Sequence, residues 1–212
     1  MIQTMRLAVF ASGGGSNFQA LIDAIETGRM PHATLALLVA SKDEIGAIER
    51  AKSHGIPHVV LSKRQFESGA HYDSALLSAL KDAHIGGLVL AGYLGILSKA
   101  VVEAFPKRIL NIHPALIPSF CGKGFYGMHV HEAVVASGCK VSGATVHFVD
   151  ADIDTGAILL QESVPVFEDD TAKTLQERVL KVEHKLLPIA VEALAAGAVD
   201  WVENRAFLRR RT

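Results

Sequence analysis

The stretch RILNIHPALIPSF, Arg108–Phe120, decides the fold. It opens as a continuous apolar run, the pattern of a strand covered on both faces, and then places Asn111, His113 and Pro114 where more apolar residues belong. Strand alternation sets Ile109, Asn111 and His113 on one face and Leu110 and Ile112 on the other. Pro114 holds His113 extended and cannot join a central ladder. The strand therefore stops with an amide and an imidazole side by side at its carboxyl end, the edge where open α/β sheets bind ligands. A histidine alone at such a place serves packing more often than chemistry; the asparagine two residues earlier on the same face favours chemistry.

The residues upstream set the frame for that strand. MRLAVFAS (5–12) leads through a glycine cluster into NFQALIDAIETG, where Phe18, Leu21, Ile22 and Ile25 recur at helical spacing. The alternation repeats through ATLALLVAS and EIGAIERAKSHG, PHVVLS and YDSALLSALKDA, GGLVLAG and ILSKAVVEAF. Apolar strands alternating with amphipathic helices predict an open, mostly parallel sheet with helices on both faces. Downstream, SGATVHFVD and GAILLQESVPV are joined by a short acidic loop rather than a helix, which predicts an antiparallel extension. TAKTLQERVLKVEHKLLPIAVEALAAG (171–197) carries a Thr cap and a closing Gly and predicts a long last helix, with a kink at Pro188.

The chain has 212 residues, half of them hydrophobic, enough for one full core and short for two. One domain over 1–212 is expected, since neither a linker nor an internal repeat divides it. Twenty-one Lys+Arg against twenty-two Asp+Glu leave a net charge of -1, so nothing global draws the chain to nucleic acid or an anionic membrane. The basic ending at Arg209–Arg211 reads as a solvated terminus. No apolar run reaches the ~20 residues of a membrane span. With two cysteines, Cys121 and Cys139, and no leader-like opening, a reducing cytoplasm is the expected compartment.

Three further patterns carry chemistry. In SGGGSN (12–17) the glycines permit a tight turn, and the amides of Ser16 and Asn17 at a helix start suit a phosphate. No Gly-Lys-Ser/Thr follows, and Phe18 stands where a dinucleotide loop needs its third glycine, so a single phosphomonoester fits better; the plain alternative is a turn with an Asn cap. HFVDADIDTG (147–156) spaces Asp150, Asp152 and Asp154 as a calcium loop does, but Thr155 and Gln161 occupy positions that need Gly and Glu. A carboxylate of this turn reaching His113 would raise the pKa of that ring. His129 and His131 in MHVHE (128–132) would point apart on a helix, and no third ligand accompanies them, so no metal is expected.

SGGGSN, LAGYLGILS, NIHPALIP, GATVHFVDADIDTG and VEHKLLP together, in this order and over nearly the whole chain, resemble the phosphoribosylglycinamide formyltransferase family. NIHP with a downstream D-x-G marks all enzymes that use 10-formyltetrahydrofolate; the GSN loop, VEHKLLP and the bare catalytic length select this member. The resemblance implies a Rossmann-like formyltransferase fold and transfer of a formyl group from 10-formyltetrahydrofolate to the amine of 5-phosphoribosylglycinamide, without a metal, by a monomer or homodimer. It makes Asn111, His113 and Asp154 catalytic. It assigns Gly15, Ser16, Asn17 and Glu183 to the ribotide, and Leu94, Gly95, Ile96, Leu97, Asn111, Asp150 and Asp154 to the folate, with His147 nearby. Some relatives carry arginines where Gly95 and Gly69 stand, and Lys63 or Arg64 are the available replacements. The loop Pro118–Met128 is longer than in compact relatives, with Lys123 facing solvent. The alternatives are a sugar-nucleotide or methionyl-tRNA formyltransferase and a folate-binding regulator without activity.

Overall fold

A computed structural model describes residues 4–209. Its centre is a seven-stranded sheet whose strands come from the apolar runs: β1 Met5–Ala11, β2 Ala33–Ala40, β3 His58–Val60, β4 Gly87–Leu90, β5 Ile109–His113, β6 Val141–Phe148 and β7 Ile158–Pro165. Spatial order is β3-β2-β1-β4-β5-β6-β7. The first five run parallel, and β6 and β7 are antiparallel additions. The chain leaves β1 for β2 on one side and later returns to β4 on the other. That reversal opens a crevice at the carboxyl ends of β1 and β4.

The helices are α1 Ser16–Glu26, α2 Gly46–Ser53, α3 Gly69–Asp82, α4 Lys99–Ala104, α5 Met128–Ser137 and α6 Ala172–Ala195. Alternation along each strand divides the core in two. Leu7, Val9 and Ala11 of β1, with Leu110 and Ile112 of β5, pack with Phe18 and Leu21 of α1 and Leu175, Val179 and Leu187 of α6. Ala8, Phe10 and Ile109 face the other way, onto Tyr72, Leu76 and Leu80 of α3 and Val101 of α4. Burying each Leu, Ile, Val or Phe contributes about 1.5–3 kcal/mol, which places most of the stability in these two layers.

Helix α6 begins as its sequence predicts. Thr171 caps it by accepting from the Thr174 amide, a bond worth about 1 kcal/mol. Arg178, one turn on, grips Asp170 through two bonds of 2.6 and 2.8 Å. The helix runs on through Pro188 to Ala195. After it comes a hairpin that the sequence reading missed, β8 Val199–Val202 and β9 Arg205–Leu208, with Trp201 against Phe148 at a ring distance of 4.7 Å. Of the basic ending, Arg209 pairs with Asp200 at 2.7 Å, and Arg210 and Arg211 lie outside the described residues. Among the described residues no helix is long and apolar enough to cross a membrane.

Candidate active site

β5 ends as expected, with Asn111 and His113 at the carboxyl edge. Its antiparallel neighbour sets what they meet. Register places Asn111 opposite His147 and His113 opposite Thr145. Adjacent side chains on paired strands are close enough to bond, and Asn111 Nδ2 lies 3.0 Å from His147 Nε2. The His147 Nδ1–H donates to the Phe148 carbonyl at 2.8 Å, so in the neutral ring Nε2 is the acceptor and the Asn111 amide the donor. One amide hydrogen of Asn111 is thereby fixed and the other is free to meet a ligand.

The acidic loop after β6 is folded back by Gly156, where an added Cβ would lie 1.9 Å from the Phe148 carbonyl, so only glycine fits. Within the turn Asp150 accepts from Thr155 Oγ1 at 2.7 Å and from the Asp152 amide at 3.3 Å, a local turn bond. Asp154 is held in the left-handed region, φ 58°, and its carboxylate lies over the two rings. Oδ2 accepts from the Gly122 N–H at 2.9 Å and stands 3.7 Å from His113 Nδ1; Oδ1 stands 3.5 Å from His147 Nε2. The 3.7 Å separation exceeds a hydrogen bond and is a charge contact rather than a bond.

His113 is 4% exposed and donates Nε2–H to the Phe120 carbonyl at 2.8 Å. Its pKa corrects the sequence expectation. Burial lowers it most; the Asp154 charge and the Phe120 carbonyl push upward, His147 pushes down, and the net lies below the ordinary 6.5. The free protein thus holds a neutral ring with its Nδ1 lone pair turned to the carboxylate. For Asp154, burial acts upward and is outweighed by the pull of the His147 ring, by the Gly122 N–H bond and by the His113 ring, so that carboxyl is held below its usual range.

At the other end of the crevice, Gly15 sits at the start of α1 with φ 72°, and a Cβ there would come within 2.8 Å of Ala47. The plain reading of this turn fails, because no side chain caps α1; Asn17 instead donates from Nδ2 to Glu183 Oε2 at 2.5 Å. Glu183, projecting from α6, is 5% exposed, and its burial raises its pKa despite the Asn17 bond. The loop carrying Leu94 to Leu97 is fastened by the Leu94 N–H on Ser12 Oγ and by Lys63 Nζ on the Ile96 carbonyl, both at 2.9 Å. A side chain on Gly95 would meet the Tyr93 ring at 2.6 Å, so an arginine there needs that ring to move.

All the expected residues, Gly15 to Asn17, Leu94 to Leu97, Asn111, His113, Asp150, Asp154 and Glu183, line one crevice of about 560 Å³. Lys123 and Tyr126 of the long loop stand at its wall, both exposed. Cys121 gives its Sγ–H to the Pro118 carbonyl and burial raises its pKa, which disfavours the thiolate. The two histidines of MHVHE do point apart: His129 is exposed beside Glu132, and His131 is 2% exposed and lines the crevice.

His131 has a consequence for stability. Burial, then the nearby His113, lowers its pKa to about 4, and its Nδ1 lacks a partner among the described residues. Such a ring stays neutral in the folded chain while the unfolded chain takes a proton near 6.5, so its contribution is complete above 6.5 and lost as pH falls toward about 4. His113 and His184 have the same sign, whereas Glu183, with its raised value, has the opposite one. Urea midpoints at pH 7 and pH 5 should therefore fall less for His131→Gln than for the parent. Equal losses would show that His131 is not the titrating group.

A free amide hydrogen, a neutral ring beside a carboxylate and a glycine loop at a helix start thus share one crevice among the described residues. The family described as Formyl transferase matches residues 5–191. Over 200 residues, 94% of this chain, it is 45% identical to the chloroplastic phosphoribosylglycinamide formyltransferase of Arabidopsis thaliana and 43% identical to that of Vigna unguiculata. The chain spans 68% and 64% of those two proteins, and 19% of the human trifunctional purine biosynthetic protein adenosine-3, to which it is 40% identical. The crystal structure of glycinamide ribonucleotide transformylase 1 from Symbiobacterium toebii superposes with a TM-score of 0.91 at 34% identity, over 98% of this chain and 95% of that one. The chain belongs to the formyl transferase family and, within it, to the phosphoribosylglycinamide formyltransferases.

Proposed function

We propose that this chain transfers the formyl group of 10-formyltetrahydrofolate to the amine of 5-phosphoribosylglycinamide, giving formylglycinamide ribotide and tetrahydrofolate in purine biosynthesis. The observation that carries this reading is the single crevice joining Asn111, His113 and Asp154 to the Gly15–Asn17 loop. The ribotide phosphate lies on the amides of Gly15, Ser16 and Asn17, and Glu183 accepts from the ribotide. The folate ring lies against Leu94 to Leu97, where Leu94 and Ile96 are 59% and 58% exposed and ready to be covered, with Asp150 and Asp154 at its polar edge.

The amine nitrogen attacks the formyl carbon, and charge builds on the formyl oxygen. The free Asn111 N–H donates to that oxygen, and it is already oriented because its partner hydrogen is held by His147. The proton released by the amine passes to His113 at Nδ1, and the ionised Asp154, 3.7 Å from that nitrogen, stabilises the imidazolium. As the bond from carbon to N10 breaks, the same proton goes to N10. Both amines keep their valence, no covalent enzyme intermediate forms, and holding the two substrates in register supplies much of the acceleration.

The compartment belongs to the proposal as well: the cytoplasm fits the cysteine usage, while the two plant relatives are chloroplastic by name. Incubating the protein with 10-formyltetrahydrofolate and, separately, the ribotide, an amino-sugar nucleotide or methionyl-tRNA tests the reaction. Consumption of the ribotide alone is expected. Formylation of another amine at a comparable rate, or folate deformylation indifferent to any amine, would contradict it.

A further inference from the structure

The SGGGSN loop offers amides but no cation of its own. The fold brings one from α2. Arg50, half-buried, donates Nε–H to the Gly14 carbonyl and Nη1–H to Gln19 Oε1, both at 2.9 Å. The neighbouring peptide is tied to the same helix, because the Ala47 N–H donates to the Gly13 carbonyl at 3.2 Å. The contact is close on both sides: a Cβ on Gly46 would lie 3.0 Å from the Gly14 oxygen, and one on Gly15 would lie 2.8 Å from Ala47.

A planar trans peptide carries its C=O and N–H on opposite sides. With the carbonyls of Gly13 and Gly14 both turned onto α2, the N–H groups of Gly14 and Gly15 are turned away from it. Gly13 to Asn17 line the crevice, so those two amides join Ser16 and Asn17 as donors there. Both Arg50 bonds end on neutral oxygens, which leaves the guanidinium charge for an anion seated across the loop.

We propose that Arg50 is the positioning residue of the phosphate site: it orients the Gly14–Gly15 peptide and supplies the positive charge behind it. This rests on the ribotide reading above. Lysine cannot reproduce the role, since one ammonium cannot hold the Gly14 carbonyl and the Gln19 oxygen in the fixed directions of a guanidinium fork.

The test uses the intact protein, with steady-state kinetics in both substrates and inorganic phosphate as an inhibitor competing with the ribotide. Arg50→Gln should raise the ribotide KM and the phosphate inhibition constant at least tenfold, with the folate KM within twofold and kcat within about threefold. Arg50→Lys should share the KM increase to a smaller extent, which also serves if the glutamine variant folds poorly. A merely structural arginine would lower the melting temperature and the active fraction and leave both phosphate-dependent constants unchanged; that result overturns the inference. If the parent protein neither formylates the ribotide nor is inhibited by phosphate, the functional reading itself fails, a separate outcome.

Discussion

Replacing His113 by alanine, or Asp154 by asparagine, should lower kcat by about 10²–10⁴, the range that general acid–base groups supply. The asparagine is the sharper variant. Its side-chain oxygen can still accept from the Gly122 N–H, so the loop keeps the 2.9 Å bond that shapes it while the charge opposite His113 disappears. Without that charge only the Phe120 carbonyl offsets the burial that disfavours the imidazolium, and the ring takes a proton from the amine far less readily at neutral pH. For His113→Ala the proposed folate wall at Leu94 to Leu97 is untouched and the folate KM should stay within about a factor of two, whereas Asp154→Asn, placed at the polar edge of that site, should raise the folate KM by less than it lowers kcat. Initial rates of tetrahydrofolate formation, with a melting curve to confirm folding, check both. Turnover near that of the parent in either variant would remove His113 or Asp154 from the chemistry.

Asn111→Ala is expected to cost about 10²–10³ in kcat, the usual loss when one preplaced donor to a developing oxyanion is deleted. The effect belongs to the transition state, because the ground-state carbonyl needs that donor less. Affinity for both substrates should therefore change little, and kcat and kcat/KM should fall together. The deletion also leaves His147 Nε2, 1% exposed as a residue, without its amide donor, so a modest fall in stability should accompany it. A variant that raised KM while keeping kcat would make Asn111 a binding residue rather than an oxyanion donor.

The strand–helix rhythm was legible because each run has one unambiguous period, and Pro114 marked where β5 ends. The β8–β9 hairpin was not. Its four-residue strands carry Asp200 and Arg205 among Val199, Trp201 and Leu208, and the Glu203–Asn204 turn between them is not one of the glycine-containing pairs that announce a hairpin. That the expected residues would gather in one crevice was readable, but their protonation was not. Asp154 near His113 suggested a raised pKa, and only the burial of the ring, a tertiary property, reverses it. His147 as the partner of Asn111 depends on the β5–β6 register, which no short motif encodes. Arg50 was invisible for the same reason, lying 36 residues from the Gly14 carbonyl it holds.

The central claim is that His113 and Asp154 pass one proton as a unit. Measuring kcat for His113→Ala, Asp154→Asn and the double variant tests it most directly, because groups that act together are far from additive. The double variant should be no slower than the slower single one, within about threefold. A double variant whose loss equals the product of the two single losses would mean the ring and the carboxylate act independently, and would contradict the account.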